Sequence, residues 1–260
     1  MTNLELVEAR AVRASVLPGG GRAETVGGAF CFTHPLVPIM ELNRAIPVEA
    51  TIDVDAIAGW FTAAHAICVT AERASLRREL TERGYEHASS WMKFDRDAEP
   101  ASAPDSDLRV EETFDTALFG SLVAEGSAIL PAAAAPLAAI VGQPGWHCFV
   151  AWAGDEPAGS GAVYIEGASA WIGAGSTRPA FRRRGAQTAL LAARIEAARS
   201  AGVTRIVTET GARVEGKPDQ SYRNILRAGF HEAYLRANWT SPVARGPAPP
   251  RPVPGTLARV

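Results

Sequence analysis

Cysteine is scarce in this chain. The three present, Cys31, Cys68 and Cys148, lie far apart and form no CxxC pair. That leaves no disulfide framework and describes small buried hydrophobes in a reducing compartment. Histidine is as sparse: none of the five forms HxxxH or HExxH, so no metal is expected. No apolar run reaches the about 18 residues of a membrane span. The opening MTNLELVEARAV lacks the basic-then-apolar order of an export signal. These absences predict a soluble, cytoplasmic protein with no membrane role. A broad positive charge is also missing. The net charge of −2 argues against nucleic acid as a partner, because its binders carry extended basic surfaces.

What is present is enough apolar sequence for two cores in 260 residues. Composition breaks at DRDAEPASAPDSD, Asp95 to Asp107, and again in the proline-dense tail PVARGPAPPRPVPGTLARV. The expected division is a first unit at 1–96, a linker at 97–107, a second unit at 108–241 and a disordered tail at 242–260. In the first unit LELVEARAVRASV is helical, GGAFCFTHP and PIMELNRAIPV are strand-like, and DVDAIAGWFTAAH is a helix capped by Asp53 or Asp55. AICVTA, helical RASLRRELTERG and strand SSWMKFD complete it. The second unit runs from strand LRVEETF through helical DTALFGSLVAEG and PAAAAPLAAIVG to three strands in meander spacing. Helix, strand GVTRIVTET, short helix SYRNILRAG and strand FHEAYLRANW then close it. The fold class is α/β (α+β mixed), a mixed and mostly antiparallel sheet flanked by helices.

Positive charge is concentrated in one place, STRPAFRRRGAQTALLAARI, where Arg178 and Arg182 to Arg184 precede an alanine- and leucine-rich helix. Helix N-termini carry unpaired N–H groups and partial positive charge, so arginines there oppose the macrodipole unless an anion is bound. Pro179 ends the preceding strand. Gly185 lets the main chain adopt a left-handed turn or approach a ligand closely. Amides from Arg183 to Thr188 can then surround a diphosphate, with guanidinium groups reinforcing them. A solvated arginine face is the alternative at this level. Leu190, Leu191, Ile195 and Ala198 supply the stripe that packs on the sheet. Other nucleotide loops fail on spacing: GAGSTR lacks the third glycine of a dinucleotide fingerprint, and no GxxxxGK[ST] or GxSxG occurs.

The run Pro179-Ala180-Phe181-Arg182-Arg183-Arg184-Gly185-Ala186-Gln187 resembles the P-x-[YF]-R-x-x-G-x-[GA] signature of the GNAT superfamily of N-acetyltransferases. Gln187 departs from it. SYRNILRAGF followed by EAYLRANW is similar to that family's closing helix, GF corner and last strand. LTERGYEHASSWMKF in the first unit echoes LRAGFHEAYLRANW, which suggests tandem GNAT-like halves with a cofactor loop only in the second. The resemblance implies acetyl-CoA as cosubstrate and a primary amine, on a small molecule or peptide, as acceptor. It places the main chain of Gly175, Ser176 and Thr177 against the pantetheine arm. Arg182, Arg183, Arg184, Gly185, Ala186, Gln187 and Thr188 then hold the diphosphate. Asn224 either orients that arm or bonds within its own helix.

Acetyl transfer needs a base for the amine, and Glu209, at the end of a buried strand, is the candidate; pairing with an arginine is its other reading. The family often carries a tyrosine four residues before the GF glycine as acid. That position is Ile225 here, which leaves Tyr222, three residues earlier, as the substitute or as core packing. Asn43-Arg44 either faces the acceptor groove or pairs across an interface. The expected protein is an N-acetyltransferase, monomeric as an internal pseudo-dimer or homodimeric. Its rivals are a non-catalytic acyl-CoA-binding or sensing module and a purely structural protein.

Overall fold

The computed structural model describes residues 3–101, 106–127, 129 and 131–242. Linker residues 102–105 and tail residues 243–260 lie outside the described residues. The first part of the chain gives α1 (Leu4–Val16), β1 (Arg22–Val26), β2 (Ala29–Thr33), β3 (Arg44–Pro47), α2 (Val54–Trp60), β4 (Ala66–Thr70), α3 (Ala74–Glu82) and β5 (Glu86–Asp97). The second gives β6 (Arg109–Glu112), α4 (Thr116–Ser127), α5 (Ala134–Ala138), β7 (Trp146–Ala153), β8 (Glu156–Glu166), β9 (Ser169–Thr177), α6 (Ala186–Ser200), β10 (Arg205–Gly211), α7 (Gln220–Arg227) and β11 (His231–Thr240). Local chemistry sets several helix starts. Asn3 accepts from the Leu6 N–H at 3.2 Å, Asp53 from the Ala56 N–H at 2.9 Å and Asp115 from the Leu118 N–H at 2.9 Å.

Among the described residues all strands join one 11-stranded sheet, ordered β1-β2-β3-β4-β11-β5-β10-β9-β8-β7-β6. Only β3–β4 and β9–β10 are parallel; the other neighbours are antiparallel. The order β3-α2-β4-α3-β5 repeats later as β9-α6-β10-α7-β11. The two series exchange their last strands. β11 pairs with β4 where β5 would lie in a self-contained first unit, and β5 pairs with β10 where β11 would lie. β5 and β11 pair with each other at the centre.

The alternation of side chains along each strand separates two buried layers. On one face α6 and α7 pack Leu190, Ile195 and Ile225 against Phe94, Val163, Ile172 and Ile206, and α2 and α3 cover Ala45 and Ile67. On the other face α1 covers Phe32 and Ile46, and α4 and α5 cover Trp146, Cys148 and Ala162.

Three differences from the sequence reading have local causes. β1 has no fully buried residue, so no apolar alternation marks it. PIMELNRAIPV is a strand only from Arg44, because the Asn43 side chain accepts from Thr33 and His34 and donates to the Val37 and Ile39 carbonyls at 2.8 Å, fixing an elbow. β5 runs through Asp95 to Asp97, which composition placed in the connecting stretch. It is held there by its ladder with β10 and by the 2.9 Å Arg205–Asp95 pair.

Candidate active site

The arginine–glycine turn folds as backbone chemistry dictates. Pro179–Phe181 makes one 3-10 turn, and Phe181 is buried beneath Arg178 and Arg184, whose guanidinium carbons lie 5.5 and 5.6 Å from its ring centre. Arg183 and Gly185 both take left-handed conformations, with φ of +64° and +80°. Gly185 is the N-cap of α6 and provides no side-chain cap. The first N–H of α6 with a protein acceptor is that of Ala189, which donates to the Gly185 carbonyl at 2.9 Å. Among the described residues the N–H groups of Arg183 to Thr188 have no protein acceptor. This is an open anion nest. Arg182 reaches the Gly126 carbonyl, Arg184 lies 3.6 Å from Asp107, and Arg183 is exposed. The corresponding start of α2 is closed by the Asp53 side chain.

Beside this turn the sheet opens. The parallel ladder of β9 and β10 stops at Val207↔Trp171, and the next step is bridged by a side chain, Thr208 donating to the Ile172 carbonyl at 2.9 Å. β9 carries a bulge where the register against β8 shifts between Ser160 and Ala162, and Ala174 there has φ of +49°. Ser176 is buried, bonded to Ser160 at 2.8 Å and donating to the Leu122 carbonyl at 2.9 Å. Thr177 and Ser176 pair with Gly159 and Ser160 of β8. The edge of β9 from Ala174 to Thr177 is therefore held by β8 on one side and has no paired strand on the other.

A cavity of about 450 Å³ fills the opening and passes through the sheet. On the α6 face it is lined by Gln187, Leu191, Arg194, Ser221 and Ile225. On the opposite face the first part of the chain contributes Val12, Ser15, Leu42, Arg44 and Trp91, facing Ile140, Trp146 and Trp171. Gly175 lines it between the two. The chamber on that side is thus composite, because β5 and β11 bring the two series side by side.

Gln187 and Asn224 form the corner between α6 and α7. Asn224 donates to Gln187 at 2.8 Å and accepts from Gln220 at 2.8 Å, while Gln187 donates to Ser221 at 3.2 Å. The departure at Gln187 ties the helix start to α7, and its side chain lies at the cavity wall.

Glu209 faces the chamber from β10 within a buried ionic cluster. Glu8 pairs with Arg44, Lys93 and Arg236. Glu209 lies 2.9 Å from Lys93, 3.0 Å from Arg236 and 3.3 Å from Arg44, and Glu5 lies 2.9 Å from Arg236. Three carboxylates thus balance three cations. Burial pushes Glu209 above the usual carboxylate range and Glu8 adds to that push, against the three cations. Burial raises Glu8 too, but Arg236, Arg44 and Lys93 outweigh it and hold Glu8 well below the usual range. Glu209 is therefore the group that accepts a proton more readily. Arg44 does both things considered for it: it lines the chamber and joins the cluster.

Tyr222 is placed differently from the expectation of a proton donor at the cavity. Its ring stacks edge-on to Phe94 at 4.9 Å under Arg213, and its hydroxyl donates to Glu232 at 2.6 Å. Burial and Glu232 raise it to about 12. The turn of α7 presents Ser221 and Ile225 to the cavity instead. Sequence reading also missed Arg194, whose signal was a charge on the apolar stripe of α6, and it missed the cluster, whose members only the sheet order gathers.

Residues 110–216 match the model of the acetyltransferase (GNAT) family. Over that stretch the chain is similar to GNAT acetyltransferase domains. No curated protein sequence matches the chain. A GCN5-related N-acetyltransferase from Kribbella flavida has a TM-score of 0.64 at 15% identity, over 91% of this chain and 96% of its own. One from Sphaerobacter thermophilus has a TM-score of 0.57 at 19% identity, and this chain spans 68% of itself but only 59% of that protein. A tandem GNAT protein from the clavulanic acid biosynthesis pathway has a TM-score of 0.52 at 16% identity, over 72% of this chain and 66% of its own. These likenesses establish the GNAT fold.

Proposed function

We infer that the protein is an N-acetyltransferase that moves the acetyl group of acetyl-CoA to a primary amine held between the two halves of the sheet. The observation that carries this reading is one cavity that reaches from Gln187, in the first turn of α6 just past the open amides, between β9 and β10 to a chamber bordered by a buried carboxylate. The N–H groups of Arg183 to Thr188 hold the diphosphate, and Arg182, Arg183 and Arg184 add charge around it. The open edge at Gly175, Ser176 and Thr177 bonds the amides of the pantetheine arm. Gln187 and Asn224 fix the corner past which that arm enters. Glu209 takes the proton of the attacking amine, directly or through a water. Arg44, Lys93 and Arg236 keep its carboxylate in place.

Trp91, Trp146, Trp171 and Ile140 give the chamber apolar walls, and Glu41 and Glu209 are its carboxylates. That lining favours a small acceptor whose amine sits on an apolar or aromatic body. A non-catalytic acyl-CoA sensor is the second reading, favoured by the absence of a tyrosine from the cavity lining among the described residues. Thiol release from acetyl-CoA with a panel of aryl, alkyl and polar amines separates them. Saturable binding without thiol release from any amine supports the sensor; amine-dependent release supports the transferase. Calorimetry with coenzyme A that gives neither heat nor a thermal shift overturns both.

A further inference from the structure

Arg194 lies on the buried side of α6 and is only 2% exposed. No carboxylate pairs with it among the described residues, and burial brings it down to about 9. An uncompensated buried guanidinium is costly, so the surroundings that keep it are informative. Its Nε donates to the Leu190 carbonyl at 2.8 Å and its Nη1 to the Gly173 carbonyl at 3.0 Å. Nη2 has no protein acceptor among the described residues. The sheet beneath is cleared for it at Gly161, where a Cβ would come within 2.8 Å of the guanidinium carbon, and Nη2 lies 3.7 Å from the Cβ position of Gly175.

The position along α6 matters as much. Gln187, Leu191 and Arg194 follow at helical spacing and line the same cavity. The seven steps of helix from Gln187 to Arg194 carry the stripe about 10 Å along α6, away from the anion nest. Arg194 therefore stands at the inner end of the path the acyl-CoA arm would follow, beside the open edge of β9. From α7 the cavity receives Ser221 and Ile225, while Tyr222 is turned to Glu232. Glu209, one of the two carboxylates lining the cavity, is engaged with Arg44, Lys93 and Arg236.

We propose that Arg194 is a catalytic residue of the acyl transfer, receiving the departing thiolate of coenzyme A as an ion pair where no side chain is placed to protonate it. This rests on the acyl-CoA reading given above. The amine nitrogen bonds to the thioester carbonyl carbon and its proton passes to Glu209. The carbon–sulfur bond then breaks, and its electron pair leaves on sulfur as a thiolate. The free Nη2 of Arg194 offers that sulfur two N–H donors and a full charge in a water-poor site. Solvent protonates the thiolate after release.

The test is the ionisation of coenzyme A bound to the full chain, followed by the ultraviolet thiolate band against pH, with calorimetry to establish saturation. The bound thiol of the wild type should titrate about 1–2 pH units below free coenzyme A. Arg194→Met should return it to the free value or above, and Arg194→Lys should keep part of the shift. Arg194→Met should lower kcat about 100-fold with the acetyl-CoA KM nearly unchanged. A residue that only plugs the space over Gly161 would leave the thiol titration unmoved. A wild-type bound thiol that titrates like free coenzyme A overturns the assignment even if Arg194→Met does not fold. Absence of coenzyme A binding overturns the acyl-CoA reading and this assignment together, whereas binding with an unshifted thiol overturns only the assignment.

Discussion

Replacing the fully buried Glu8 by glutamine removes one negative charge from a cluster of three carboxylates and three cations. Glu8 is held well below the usual carboxylate range, so its ionised form stabilises the folded state above that range. The contribution disappears as pH falls through the depressed value. At neutral pH the substitution leaves Arg44, Lys93 and Arg236 sharing Glu209 and Glu5. Stripping one partner from a buried ionic group costs about 3–5 kcal/mol. Because glutamine retains some hydrogen bonding, the lower end applies. At roughly 2–4 °C per kcal/mol for a chain of this size, the melting midpoint should fall by about 6 °C or more. Glu209→Gln makes the opposite case. The folded-state value of Glu209 is raised, so its contribution is full at low pH and lost as pH rises through that value. Near neutrality the amide should therefore cost much less than it does at position 8. Thermal melts of both variants between pH 5 and 8, followed by circular dichroism, compare them. A Glu8→Gln midpoint within about 2 °C of wild type, or a Glu209→Gln variant that is the less stable of the two, would refute this division of charge.

Other expectations follow from the same geometry. Gly185→Val, forced into a φ of +80°, should weaken coenzyme A binding at least about tenfold by calorimetry, since a β-branched residue strains that turn; equal affinity would remove the loop from cofactor binding. Glu209→Gln should lower kcat about 100-fold with little change in the acetyl-CoA KM. Wild-type kcat should fall as pH drops through the raised Glu209 value, at a pH above the ordinary carboxylate range, and an identical pH profile in the variant would exclude Glu209 as base. A fragment beginning after Asp97 lacks β5, leaving β10 and β11 without their shared neighbour. It should show no cooperative melt, whereas the full chain should unfold in one transition.

Much of the second part of the chain was legible beforehand. Pro179, Arg182 and Gly185 mark the turn because each answers a local constraint: strand termination, a charge opposed to the helix dipole, and a left-handed N-cap. The three meander strands and the apolar run of β10 follow from periodicity and turn residues. Side-chain destinations were not legible. Tyr222 and Ile225 lie three apart on one short helix, and the sequence offers both to the same face. Only the Glu232 carboxylate on β11 and the Phe94 ring on β5 decide that the phenol turns inward.

The amino-acid order by itself determined most of the element sequence and the anion-ready start of α6, because these depend on residues within a turn or two of one another. Tertiary structure decided what is non-local. It exchanged β5 and β11 so that one sheet serves both halves, and it gathered Glu8, Arg44, Lys93, Glu209 and Arg236 from five separate elements. It also left Arg194 unpaired beside the gap between β9 and β10. Strand pairing carries no sequence signature of its partner, and a charge shows its counter-charge only once the chain has closed around it.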